Sequence, residues 1–355
     1  TIIMLRNLTL ISLSLYTISL LSSCNNSTKI AVTEPIDSLA IQNPFLVEFD
    51  KNSPEYVKEQ KVYLDTFYKK YFGDDFSGSF LVAKNGEVIY EKYSGYAYKE
   101  KGIEINQNTP IHVASVGKVI TAAATLRLVD ADKLKLDQTV KSILPTFPND
   151  TTTVRMLLNH RSGLRNYAYV TEEKDVWDKK NALTNADVLD IFATNKNIQE
   201  VAPDRRFQYC NTNYVFLALI IEKITQTNFE EAIKDLILTP LKMKNTFVFS
   251  DLTKQDSVSQ SYKSNYRRLA WEYLDQTYGD KNIFTTAQDL LKFDNATYSD
   301  HFLSKEMKHE MFKGYSYERK GTKNYGLGVR LLEFDNGKRY IFHSGWWHGN
   351  TAMYV

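Results

Sequence analysis

The chain has 355 residues, which suits one large domain or a domain with a big insertion. Its 43% hydrophobic content supplies a packed core, and a net charge of +2 with no long basic run gives no footprint for nucleic acid. Two cysteines, Cys24 and Cys210, are too few for a disulfide framework or a cysteine zinc site, and the six histidines lack H-E-x-x-H spacing, so no metal or cofactor is expected.

Met4 is the expected start, and Arg6 precedes an apolar run, Leu8 to Leu21, that is short for a transmembrane helix. The run ends in Leu21-Ser22-Ser23-Cys24, which resembles the lipobox of bacterial lipoproteins. That resemblance implies cleavage before Cys24, lipidation of its thiol, and anchoring on the periplasmic or cell-surface side of a bacterial membrane. Several acyl chains on one cysteine anchor stably, unlike a single chain. Residues 1–23 are read as signal peptide and 24–54, polar and without periodicity, as a tether. The domain is expected over 55–355.

Glu55 to Phe72 carries Val57, Val62, Leu64, Phe67 and Tyr71 at helical spacing. Ser79 to Ala83 and Val88 to Tyr93 are β-rich, and Lys84-Asn85-Gly86-Glu87 between them signals a hairpin. Helices are expected over Val119 to Val129, Asn185 to Thr194, Asn213 to Thr225, Phe229 to Leu238 and Thr286 to Asp294. Strands return at Gly328 to Phe334 and Arg339 to His343. Strands, then helices, then strands suggest an α+β fold: a sheet interrupted by a large, mostly helical insertion.

Three motifs carry chemistry. Ser115-Val116-Gly117-Lys118 opens an apolar helix and puts the lysine and serine one turn apart on one face. A serine hydroxyl needs a base, and a desolvated or crowded lysine can take its proton. Alone this S-x-x-K is weak, since a helix-start serine beside a surface lysine fits equally. Tyr209-Cys210-Asn211 places a tyrosine able to shuttle a proton beside an amide able to hold both lysine and substrate. A tyrosine at a helix entrance with Asn211 as N-cap is compatible with that reading. His343-Ser344-Gly345 follows a strand, where backbone N–H groups can meet an oxyanion and glycine lets a substrate approach.

Together, in this order, the motifs resemble the serine β-lactamase and penicillin-binding protein superfamily, in its class C-like branch with DD-carboxypeptidase and esterase relatives. Leu157-Leu158-Asn159-His160-Arg161-Ser162-Gly163-Leu164, Pro240-Leu241-Lys242-Met243-Lys244-Asn245-Thr246, Ile283 to Leu290 and Tyr325-Gly326-Leu327-Gly328 resemble further signatures of that family. The resemblance implies a β-lactamase/transpeptidase-like fold with an antiparallel sheet flanked by helices. It implies Ser115 as nucleophile, with Lys118 and Tyr209 sharing the acid and base roles in an order left open. Asn211, His343, Ser344 and Gly345 would bind substrate, and the backbone N–H groups of Ser115 and Trp346 would form the oxyanion hole. His160 is read as structural, and Cys210 as a small buried hydrophobe.

Two departures matter. His343 stands where typical β-lactamases carry lysine, which favours a peptidase or esterase over a dedicated β-lactamase. The family's third-motif strand is followed by two more strands and a terminal helix; Thr351 to Val355 is expected to begin the first of these, and the remainder to be missing. Three functions stay open: an acyl hydrolase acting on a small-molecule or peptide substrate, a non-catalytic peptidoglycan- or β-lactam-binding lipoprotein, and a true β-lactamase. The aromatic loops 166–180 and 250–281 could line an acyl pocket or simply pack.

Overall fold

The structure, a computed structural model, describes residues 44–355. Helix α1 (Pro54–Tyr71) starts where the Ser53 side chain accepts the Tyr56 N–H and proline occupies the first turn. Its Tyr68 packs on Phe80 and Tyr90 of a hairpin, β1 (Gly78–Lys84) and β2 (Glu87–Ser94). Asn85 and Gly86 between the strands have φ of 52° and 71°, the left-handed pair that a two-residue hairpin turn needs.

Residues 44–53 correct the tether boundary. Phe45 meets Phe302 edge to face at 5.9 Å, Phe49 meets Tyr298 at 5.4 Å, and Asn52 donates to the Lys84 carbonyl at 2.9 Å. The segment has little periodicity, yet two aromatic anchors hold it on the domain. Cys24 and the expected signal peptide lie outside the described residues.

The middle of the chain forms the helical block. Strand β3 (Ile111–His112) leads into α2 (Gly117–Asp130), which is buried on nearly every face. Its alanines admit close neighbours, and the Thr121 and Thr125 hydroxyls donate to the Gly279 and Thr121 carbonyls, so both buried hydroxyls are satisfied. Around it lie α3 (Val154–Leu158), α4 (Asn185–Thr194) and α5 (Thr212–Thr225). The capping box of Thr184 and Asp187 starts α4. Strand β4 (Phe247–Val248) and β3 both pair with β5 (Ile283–Thr285), so the chain entering α2 is fixed by a small three-stranded sheet that composition did not reveal.

Helix α6 (Ala287–Thr297) precedes an antiparallel meander of β6 (Lys323–Tyr325), β7 (Arg330–Glu333), β8 (Arg339–Trp347) and β9 (Asn350–Tyr354). Strand β9 answers the expectation for residues 351–355. Gly328, at φ 85°, lets the meander lie on α2, since a Cβ there would fall 2.2 Å from that of Ala122. The architecture is the α+β arrangement expected, with the hairpin and the meander as separate sheets among the described residues. No described helix is long and apolar enough to cross a membrane.

Candidate active site

Strand β3 delivers the chain into a 3-10 turn, Ala114–Val116, that runs straight into α2. Ala114 has φ 48°, a left-handed conformation that costs a non-glycine residue about 1–3 kcal/mol. Its N–H points to His112 Nδ1 at 3.3 Å, and His112 Nε2 in turn meets Asn282 at 3.0 Å. The strained turn leaves Ser115 half-buried at the helix start. Lys118, one turn on, is fully buried. Its Nζ donates to Ser115 Oγ at 3.0 Å and to the Asp280 carbonyl at 2.5 Å, and lies 5.2 and 5.6 Å from the ring centroids of Tyr209 and Tyr214. These partners are neutral, and none of the hydrogen-bond partners of the lysine is a carboxylate.

His160, at φ 58° and fully buried, props the second motif from behind. Its Nδ1 accepts the Cys210 N–H and faces Asn213 Nδ2, each at 3.1 Å, and its ring lies 4.3 Å from that of Tyr209. Burial, with the Lys118 charge nearby, holds this imidazole well below its usual range, so it stays neutral and accepts. The Tyr209 hydroxyl and Asn211 Oδ1 are both buried without a hydrogen-bond partner. Asn211 occupies the N-cap of α5, but its side chain makes no capping bond and is left for the site. Burial pushes the Cys210 thiol up to about 11.

The third motif lies against the nucleophile turn. A Cβ on Gly345 would sit 2.4 Å from the Val113 carbonyl and 2.9 Å from the Ser115 nitrogen. The two expected oxyanion donors, Ser115 and Trp346, therefore flank one close backbone contact. Ser344 is half-buried, and the Trp346 side chain is 70% exposed. His343 corrects an expectation. It does not offer its ring to substrate: it is fully buried, Nε2 meets the Tyr325 hydroxyl at 3.0 Å, and Nδ1 lies 2.8 Å from the Ser344 carbonyl. Burial, then the charges of Lys118 and Arg330, keep it neutral. Both ring nitrogens are engaged, so His343 braces the site beside Tyr209, 6.2 Å away between ring centroids.

A family model for Beta-lactamase matches residues 74–355, which take in the hairpin, all three motifs and the meander. The chain belongs to the Beta-lactamase family. Among its relatives is penicillin-binding protein 4* of Bacillus subtilis, 30% identical over 79% of this chain and 65% of that protein. Another is the teichoic acid D-alanine hydrolase of Staphylococcus aureus, 29% identical over 75% of this chain and 67% of the relative. The D-amino acid amidase of Ochrobactrum anthropi, known by crystal structure, is 25% identical with a TM-score of 0.60, covering 77% of this chain and 81% of that one. The chain thus spans about two thirds of the length of the first of these relatives.

Within this Beta-lactamase-family site, sequence reasoning missed Arg330, Asp280 and Lys281, and read Tyr167 only as an aromatic of the 166–180 loop. Arg330 on β7 stacks over Tyr209 at 4.8 Å and Tyr325 at 5.9 Å, forms no ion pair among the described residues, and buries its Nε without a partner. Asp280, Lys281 and Tyr167 form a buried polar cluster beneath Lys118. The available signal was a charged pair, Asp280-Lys281, one residue before the apolar Ile283-Phe284. The aromatic loops mostly pack: Trp271 lies on Phe249, and the Tyr278 hydroxyl donates to Glu222.

Proposed function

We propose that the protein is a serine hydrolase that forms an acyl-enzyme at Ser115 on D-aminoacyl amides or esters. One observation carries this reading: the 3.0 Å hydrogen bond between Ser115 Oγ and the buried Lys118, whose partners are neutral. The coupled pair Lys118 and Tyr209 takes the serine proton as Oγ attacks the carbonyl carbon. The Ser115 and Trp346 N–H groups receive the oxyanion. Collapse breaks the bond to the amine or alcohol, which leaves with the proton returned through Tyr209. Water, giving its proton to the same groups, then attacks the acyl carbon; the bond to Ser115 Oγ breaks, the acid leaves, and the proton returns to Oγ. The names of the teichoic acid D-alanine hydrolase and the D-amino acid amidase support a D-configured acyl group.

Arg330 adds a cation that neutral His343 does not supply. It suits a substrate with an anion near the scissile bond, such as a peptide carboxylate. The same feature gives a second reading its footing, since a β-lactam also carries a carboxylate there. The assay is release of p-nitroaniline from D-alanine and L-alanine p-nitroanilides by wild type and Ser115→Ala. The proposal expects D-selective turnover that vanishes in Ser115→Ala; L-selective turnover, or equal turnover in the variant, would refute it. Replacing Arg330 with Gln is expected to raise KM about tenfold or more for a D-alanyl-D-alanine peptide and to leave that for its C-terminal amide unchanged, as loss of a charge-assisted contact requires.

Lipid anchoring at Cys24 belongs to the same proposal, on the strength of Leu21-Ser22-Ser23-Cys24. Expression in a bacterial host with radiolabelled palmitate is expected to label the full chain and not Cys24→Ala.

A further inference from the structure

The site holds a second lysine with no assigned task. Lys281 is 3% exposed, and its Nζ donates to the Tyr167 hydroxyl at 2.8 Å and to the Thr277 hydroxyl. Tyr167 in turn donates to Asp280 Oδ2 at 3.2 Å, while Asp280 Oδ1 stands 3.8 Å from Lys281 Nζ and makes no hydrogen bond. The backbone carbonyl of Asp280 is the group that accepts from Lys118. On its other side Lys281 lies 5.1 Å from the Trp347 ring, and Trp347, two residues beyond Gly345 on β8, donates its indole N–H to Asp275 at 2.7 Å.

A fully buried ammonium is costly unless its surroundings repay the lost solvation. This one has only neutral oxygens at hydrogen-bond distance. Its one close carboxylate, Asp280, is beyond that distance. A core that needed only volume would use leucine or methionine here. The cluster instead touches two elements of the site: the Asp280 segment that holds Lys118, and the strand that carries the third motif.

We propose that Lys281 is a positioning residue for the reaction: through Tyr167 and Thr277 it locks the 277–281 segment so that the Asp280 carbonyl meets Lys118 Nζ, and through Trp347 it sets β8 against the Ser115 turn. The inference rests on the serine hydrolase reading for its kinetic test, and on geometry alone for its structural one.

Lys281→Met keeps the volume and removes the charge and donors; it also leaves Asp280 buried without the cation 3.8 Å away, so a lower melting temperature is expected and the kinetics are compared per folded molecule. Tyr167→Phe removes one hydroxyl of the same cluster and serves if Lys281→Met does not fold. Both are compared with wild type by melting temperature and by kcat and KM on D-alanine p-nitroanilide. For Lys281→Met, kcat per folded molecule falls about 10- to 100-fold with KM within about twofold, as a displaced but intact reacting pair requires. Tyr167→Phe shows the same split at smaller amplitude. Wild-type kcat in a folded variant, or a KM rise alone, overturns the proposal. Should the wild type turn over no substrate, the hydrolase reading fails, and crystal structures of the variants decide this inference separately. An Asp280 carbonyl withdrawn from Lys118 supports it; unmoved Asp280 and Trp347 overturn it.

Discussion

The two closest atoms to where a Gly345 Cβ would project are backbone, and backbone cannot rotate away. Gly345→Ala must therefore push β8 from the Ser115 turn. A shift of about 1 Å in a reacting group can cost ~100-fold in rate, so a loss of that order is expected in acylation, with a folded protein by circular dichroism. Cys210 makes the opposite case. Its thiol is buried and pushed up to about 11, so Ellman's reagent is expected to leave it untouched in the native protein and to titrate it after denaturation. Ser115 and Lys118 were legible in the sequence because a three-residue spacing sets them one helical turn apart, and Tyr209 because its Y-x-N follows the S-x-x-K in the family's order. Arg330 and Lys281 were not, since each gains its place through a contact distant in the chain. His343 was legible as a motif member but its orientation was not, because the burial of a strand face depends on what packs against it.

At the scale of elements, the β8–β9 turn shows how the third-motif strand is held. Trp347 pairs with Asn350 across a two-residue turn, where His348 and Gly349 have φ of 44° and 76°. His348 Nε2 lies 3.2 Å from Asp275 and 3.6 Å from Glu272. Burial alone would lower its pKa, but the two carboxylates outweigh that and raise it to about 9. A raised imidazole pKa stabilises the fold fully below the unfolded value of about 6.5, and the contribution is lost as pH rises through about 9. Wild type is thus expected to melt above His348→Gln at pH 6, with the gap closing by pH 10; a gap that grows with pH would contradict this. The hairpin and the long helices were legible because their periods repeat over many residues. The strands β3 to β6, two or three residues each, lack the length to show a period, yet β3 and β5 fix the approach to Ser115.

Over the whole molecule, the signatures outside the three motifs prove to be joints. Asp289, fully buried, accepts the Asn245 N–H at 2.8 Å and the Thr246 hydroxyl at 2.9 Å, and pairs with Lys292. It fastens the segment after Pro240 to the start of α6, two stretches of chain that each resembled a family signature. Asp289→Ala strands buried donors and is expected to cost about 3–5 kcal/mol in urea unfolding. Reactivity per folded molecule should not change, since Asp289 touches no group of the site. The domain's inner boundary was misread for a related reason. Phe45 and Phe49 are isolated in a polar stretch, and residues distant in the chain, Phe302 and Arg127 for the first and Tyr298 for the second, give them partners.

The central claim is that Ser115 is a nucleophile activated by buried Lys118. Intact-mass spectrometry after brief exposure to an alkyl fluorophosphonate tests it without knowledge of the substrate. The account predicts one adduct, mapped to Ser115, absent in Ser115→Ala and slowed ~100-fold or more in Lys118→Met, the range of general-base assistance. An adduct on another residue, or equal labelling of Lys118→Met, would contradict it.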